Sequence, residues 1–245
     1  MTKLIQDIKS TGISSAYFEA PFDKAKAELE KQNYEIISLE DNARLRISQG
    51  EGEIVSQNGN WVKEGVIYIL KKGRFFTPNS PVLEQPDKAT DAHRKNKEYF
   101  VTNEQIEKAL ENSVQVPYNL NPIPTDWFGK EPITDFCFGK SAKDYGLFLK
   151  KAGINEMPLW LNNERYVNSQ KESYANQLWF NRLDYRSGLV GNSWYLDYSG
   201  RLRGVCKDAE GVASQNLVSY EKIEKALNEL GFSGLKENLI DKLKQ

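Results

Sequence analysis

The longest uninterrupted apolar run in this chain is Val66-Ile67-Tyr68-Ile69-Leu70, and that shortness constrains the fold more than any motif does. A helix needs about 20 apolar residues to cross a bilayer. The opening MTKLIQDIKSTG also lacks the apolar centre of a secretory leader, so the expectation is a chain with no membrane span. Its core must be assembled from short segments whose hydrophobic period changes along the sequence. With 245 residues such a core can be substantial. The reading is an α+β fold, mostly antiparallel, with a β-rich middle flanked by amphipathic helices. Residues 1–245 form either one domain or two tightly packed subdomains.

Charge narrows the partners. Lys and Arg number 33 against 34 Asp and Glu, which argues against a surface coated for nonspecific DNA or acidic membranes. Cys137 and Cys206 are the only cysteines, too few for a disulfide scaffold or a four-cysteine zinc site, so reduced thiols in a cytoplasmic protein are expected.

Along the chain, Pro21 opens FDKAKAELEKQN, whose Phe22, Ala25 and Leu29 recur at helical spacing. Tyr34 to Leu39 and Arg44 to Ile47 read as strands. GEGEIVSQNGNWVKEGVIYIL reads as a hairpin turning near Asn58-Gly59, because Asn-Gly suits the positive backbone angles of a tight turn. The proline-rich stretch 77–96 reads as a surface excursion or a boundary between subdomains. It carries His93, the sole histidine, which is either a general base steered by Asp91 or a solvated loop residue.

Glu98 to Val101 reads as a strand, and Thr102 with Gln105 forms a capping box that starts the next helix. Ile133 to Phe138 reads as a buried strand. Gly139-Lys140-Ser141 then leads into a helix that Gly153 closes. Strand, Gly-Lys-Ser and helix together imitate a phosphate-binding loop, but the first glycine of that motif is replaced by Thr134, so no nucleotide cradle is assigned. Met157 to Leu161 is a further strand, and NNERYVNSQKES a polar surface segment. Two helices are expected near the end, from Ser219 to Gly231 and from Leu235 to Leu243.

The distinctive stretch is Trp179 to Val205, crowded with aromatics, arginines and aspartates and free of Lys and Glu. A guanidinium is a planar fork of donors that stacks on aromatic rings, so Arg beside Tyr and Trp suits packed ion pairs or anion recognition. Residues 179–186 alternate as a half-buried strand. If Asp197 to Gly200 is a type I turn, Trp194, Leu196, Leu202, Gly204 and Cys206 share a core face. Tyr195, Asp197, Arg201 and Arg203 then share the other face, with Asp197 paired to Arg201.

No metal, cofactor or catalytic triad pattern is present. The expected function is therefore non-catalytic binding of a protein or anionic partner by a sheet face bearing Arg182, Arg186, Tyr195, Arg201 and Arg203. Two alternatives use the same patch. One is a metal-dependent nuclease or phosphodiesterase with Asp184 and Asp197 as carboxylates that hold a divalent cation near those arginines. The other binds single-stranded nucleic acid or RNA by stacking bases.

Overall fold

The computed structural model describes residues 3–9, 14–192 and 196–206. Its strands are β1 (Ile5–Lys9), β2 (Ser14–Ala20), β3 (Glu35–Ile36), β4 (Asn60–Ile69), β5 (Gly73–Thr77), β6 (Tyr99–Phe100), β7 (Val114–Val116), β8 (Ile123–Pro124), β9 (Glu156–Met157), β10 (Leu159–Trp160), β11 (Tyr174–Phe180), β12 (Leu189–Val190) and β13 (Gly200–Cys206). One large sheet runs in the order β1-β2-β13-β4-β11-β12-β10, with β3, β5, β6 and β7 attached beside that path. Most pairings are antiparallel. The exceptions are β13 with β4 and β10 with β12. The α+β expectation, with a mostly antiparallel sheet, is met.

The helices are α1 (Phe22–Lys31), α2 (Leu39–Gln49), α3 (Ile54–Gln57), α4 (Pro86–Arg94), α5 (Asn103–Leu110), α6 (Pro132–Phe138), α7 (Ala142–Lys151) and α8 (Glu164–Ser169). They cover both faces of the sheet's middle, and two apolar clusters result. One gathers Leu39, Val66, Phe138, Tyr145 and Phe180 beneath α2, α6 and α7. The other gathers Phe22, Leu29, Trp61, Ile67 and Leu202 beneath α1 and α4. Among the described residues, no helix is long and apolar enough to cross a membrane.

Several segments fold differently from the expectation, each for a physical reason. Arg44 to Ile47 lies within α2, because Ser38 accepts a hydrogen bond from Asp41 N as N-cap and Glu40 and Asp41 fill the first turn. The buried residues of α2 are Leu39, Asn42, Ala43, Leu45 and Arg46. Two of these five, Asn42 and Arg46, are polar, which hides the helical period from a hydrophobicity pattern. Ile133 to Phe138 is α6 rather than a strand. Pro132 sits in its first turn and the Glu131 carboxylate accepts from Ile133 N and Thr134 N.

Asn58-Gly59 links α3 to β4 instead of turning a hairpin. The β4–β5 hairpin turns at Leu70 to Lys72, where Lys71 has a φ of 60°. The proline-rich stretch 77–96 is not a loose excursion, since Pro86 opens α4 and Val82, Ala89 and His93 are buried. The polar segment after Leu161 contains α8. The capping box of Thr102 and Gln105 is present with both of its hydrogen bonds. The two helices expected after residue 219 lie outside the described residues.

Candidate functional site

β13 lies deep in the sheet, flanked by β2 and β4. A strand that is covered on both faces shows no alternation between a core side and a wet side. Leu202, Arg203, Gly204 and Val205 are accordingly all buried in sequence, and the expected charged face of this strand is not a surface. Arg203 is 1% exposed and grips Asp7 of β1 with two hydrogen bonds of 2.7 and 2.8 Å, while also donating to Ser15 Oγ at 2.8 Å. Arg201 does not pair with Asp197. It lies opposite Glu19 on β2, donates to that carboxylate from Nε at 3.0 Å, and covers the Tyr17 ring at 4.1 Å. Cys206, expected to be packed, is partly exposed, whereas Cys137 is buried and burial pushes its thiol well up.

The half-buried strand expected over 179–186 ends at Phe180. The chain then makes a tight turn over Leu183–Tyr185, followed by two residues in the left-handed region, Arg186 at φ 55° and Ser187 at φ 50°. Such conformations persist only where surrounding contacts fix them, and here the anchor is a buried cation. Arg46, fully buried, donates from Nη1 to Ser187 Oγ at 2.9 Å and to Tyr145 Oη at 3.2 Å, and its guanidinium stacks over Phe180 at 3.9 Å. Burial lowers its pKa. The turn so held projects Tyr185, 53% exposed, outward. Arg182 stacks on Tyr185 at 4.8 Å and pairs with Asp184 at 2.7 Å, and Arg186 pairs with Glu156 at 2.5 Å.

Tyr185 stands where three clefts meet. The largest, about 670 Å³, is walled by Trp61, Trp160, Trp179, Tyr185 and Tyr198, with Gln177, Asn181 and Asn192 as its carboxamides. None of its lining side chains is charged. A second cleft of about 380 Å³ shares Trp179, Asn181 and Tyr185 with the first and reaches Asn58, Arg182 and Arg201. A third, about 410 Å³, shares Trp160 and Tyr185 and reaches Asn121, Glu156 and Arg186.

The tryptophan walls are seated on glycine. A Cβ on Gly59 would meet the Trp179 indole at 2.5 Å, and Cβ atoms on Gly188 and Gly200 would overlap Trp160 and Trp61 respectively. Only a residue without a side chain lets each ring lie against the backbone there. Trp61 and Trp179 also meet edge to face at 5.3 Å, and Trp179 Nε1 donates to Asn181 Oδ1 at 3.0 Å. The rings are thus fixed before any ligand arrives.

Of the residues singled out from sequence, Arg182, Arg186 and Arg201 therefore border this face. Arg203 lies inside the sheet, and Tyr195 lies outside the described residues, as does Trp194. His93 is elsewhere. It sits on the buried side of α4, 2% exposed, with neither ring nitrogen hydrogen-bonded, and burial lowers its pKa to about 4. It is neither a solvated loop residue nor placed against any of the three clefts. Asp184 is held by Arg182, and one oxygen of Asp197 is buried without a partner. Among the described residues no group of three or more His, Cys, Asp or Glu side chains is arranged to hold a metal ion.

Trp61 and Trp160 do not stand out in the sequence, because each lies in what reads simply as a strand. The signal available was the scatter of glycines, but which glycine meets which tryptophan depends on strands brought together from distant parts of the chain.

This arrangement of sheet and helices is similar to a C-type lectin fold. The chain is similar in structure to a protein described as showing accommodation of massive sequence variation in Nanoarchaeota by the C-type lectin fold. The match has a TM-score of 0.61 at 15% identity and covers 81% of this chain and 99% of that one. At that identity the likeness is one of fold. No protein-family model and no curated protein matches the chain.

Proposed function

We propose that this chain is a non-catalytic binding protein that takes a protein partner on the face centred on Tyr185, with Arg182, Arg186 and Arg201 at its margins. The observation that carries the reading is the cleft of about 670 Å³ walled by three tryptophans that are each seated on a glycine. Preorganised Trp and Tyr side chains provide large contact areas at small entropic cost, which is why they dominate binding hot spots. Tyr185 and Tyr198 expose 53% and 64% of their surface next to one another, and exposed aromatics clustered at a concave site mark interaction surfaces.

A protein partner suits the face better than a free anion. Each marginal arginine already holds a carboxylate, namely Asp184, Glu156 or Glu19, and an anion would have to displace it. The structural relative supports the division of labour, since its fold is described as accommodating massive sequence variation. A scaffold of that kind can keep its sheet while its surface is specialised.

The test is site-specific crosslinking. A photoreactive phenylalanine analogue replaces Tyr185 in one sample and Leu147, which is 57% exposed on α7, in another. A discrete crosslinked protein at position 185, absent at 147 and competed away by unlabelled wild type but not by Tyr185→Ala, is the expected outcome. Equal crosslinking at both positions, or none at 185, rejects the reading.

A further inference from the structure

The unmet hydrogen bonds of this fold are concentrated behind the main cleft. Eleven buried side-chain atoms have no hydrogen-bond partner among the described residues, and five of them belong to Asp23, Thr90, His93 and Asp197. Thr90 and His93 lie one turn apart on the buried side of α4, which packs against α1. At the start of α1, Phe22 N donates to Leu196 O at 2.8 Å, so Asp23 and Asp197 flank the bond that fastens the 196–200 segment to that helix. Phe22, Ala25, Ala89 and Leu196 belong to one apolar cluster. Burial lowers the His93 pKa and the charge of Asp197 opposes that fall, so the imidazole and the carboxylate sense one another.

The four side chains specify by their chemistry what completes them. A neutral imidazole offers one donor and one acceptor, the Thr90 hydroxyl one donor, and a carboxylate oxygen only accepts. Acceptors are thus in excess, and an anion would add to the excess. No three His, Cys, Asp or Glu side chains among the described residues are arranged to hold a metal ion. Water brings two donors of its own, and joining buried polar groups that do not reach one another is its usual structural work.

The segment beside this cluster forms one wall of the cleft. Tyr198, Ser199 and Gly200 line it. Gly200 seats Trp61, which Phe22 meets edge to face at 5.3 Å. Resting on the reading of this face as a partner-binding site, we propose that His93 and Thr90 are positioning residues, and that internal water between them, Asp23 and Asp197 ties the 196–200 segment to α4 and α1 and so fixes the Trp61 and Tyr198 side of the cleft. None of the four side chains lines a cleft itself, so their effect on binding passes through that wall.

Hydrogen exchange at the Phe22 amide reads this link, because a first-turn N–H has no acceptor within its own helix and this one depends on Leu196 O. The reference is the Leu189 amide, bonded to Pro158 O at 3.0 Å in the strand that pairs with that of Trp160. His93→Leu should speed exchange at Phe22 about tenfold relative to Leu189, as for a buried polar group left unpaired. His93→Gln, which keeps donors and an acceptor, should restore the wild-type ratio. Asp197→Ala should act as His93→Leu does, and combining the two should add less than about twofold, because both break one network. A long-lived water contact to the Thr90 methyl group is expected in rotating-frame NMR.

Equal acceleration at both amides, no recovery with His93→Gln, additive effects of the two single variants, or no water at Thr90 would each overturn the proposal. If His93→Leu does not fold, an unchanged ratio in Asp197→Ala overturns it equally. The photoreactive analogue at position 185 then reads the consequence for binding: its crosslinked product should fall with His93→Leu and return with His93→Gln, and a full yield while Phe22 exchange is fast rejects the positioning role. A wild-type protein that gives no crosslink at 185 rejects the face as a partner site, whereas the exchange ratios report the link with no partner present, so the two readings fail separately.

Discussion

Arg203 and Arg186 come from the same arginine-rich stretch, yet the fold gives them opposite work. Arg203 lies in the strand between β2 and β4, is 1% exposed and is held bidentately by Asp7, whose own side chain is 4% exposed. Arg186 sits on the turn after β11, where its side chain is 59% exposed and its partner Glu156 44%. Both are arginine-carboxylate pairs at hydrogen-bonding distance. A buried guanidinium that loses its carboxylate leaves an uncompensated charge in a low dielectric, whereas an exposed one is rehydrated and its pair is screened. The environment of an ion pair therefore decides much of what the pair is worth.

The largest effect tests that contrast directly. Arg203→Ala should destabilise the protein by about 3–5 kcal/mol, because Asp7 is left buried and unpaired. Urea denaturation measures it, and a loss under about 1 kcal/mol would place Arg203 with the surface arginines.

A buried carboxyl whose hydrogen bonds come from a backbone N–H sharpens the comparison. Glu64 is 6% exposed, and both its oxygens accept from Leu39 N at 3.1 Å at the start of α2. A helix N-terminus favours the anion, yet burial outweighs it and pushes the carboxyl from 4.5 to about 8. The folded protein therefore binds this proton more tightly than the unfolded chain does. Its contribution to stability is complete below pH 4.5 and is lost as pH rises towards 8. His93 has the opposite sign, since its pKa falls from 6.5 to about 4 and the folded state gains stability as pH rises through that window. The two slopes oppose one another between pH 4.5 and 6.5, and only Glu64 acts between 6.5 and 8. Unfolding free energy should drop by about 1.5–2 kcal/mol over that upper window, and Glu64→Gln should flatten the drop. A wild-type curve that is already flat there would mean that Glu64 ionises normally.

Next in size is Gly188→Ala, which places a methyl group against Trp160. It should displace that ring and weaken partner capture about tenfold, a loss of about 1.4 kcal/mol, with a smaller change in melting temperature. An unchanged affinity would show that the Trp160 wall is not used. The smallest effect belongs to the surface side of the comparison. Arg182→Ala and Arg186→Ala should each change stability by no more than about 0.5 kcal/mol, and a change above 2 kcal/mol in denaturation would make them scaffold after all.

Much of the local structure was legible in the sequence where the signal is short-range. The capping box at Thr102 and Gln105 depends on residues three apart, and α1 shows its period in Phe22, Ala25 and Leu29, all fully buried. Legibility failed where polar residues carry the buried period. Asn42 and Arg46 make α2 look like anything but a core helix, although Asn42 bonds Asn60 at 2.8 Å and Arg46 holds Ser187. It failed again in β13, where an alternation argument assumes one wet face and the strand has none.

The candidate site divides along the same line. Composition alone pointed to the stretch from Trp179 onward, because arginine with aromatics and without lysine is a chemical bias that needs no coordinates. Charge balance, the short apolar runs and the α+β class were likewise fixed by the order of residue types. Which arginine became scaffold and which stayed at the margin depended on Asp7 and Glu19, which lie near the other end of the chain. The tryptophan cleft depended on β4, β10, β11 and β13 converging so that Gly200, Gly188 and Gly59 could seat Trp61, Trp160 and Trp179. Burial and close approach are properties of the assembled sheet, and so only the tertiary structure could turn a crowd of aromatics into a cleft.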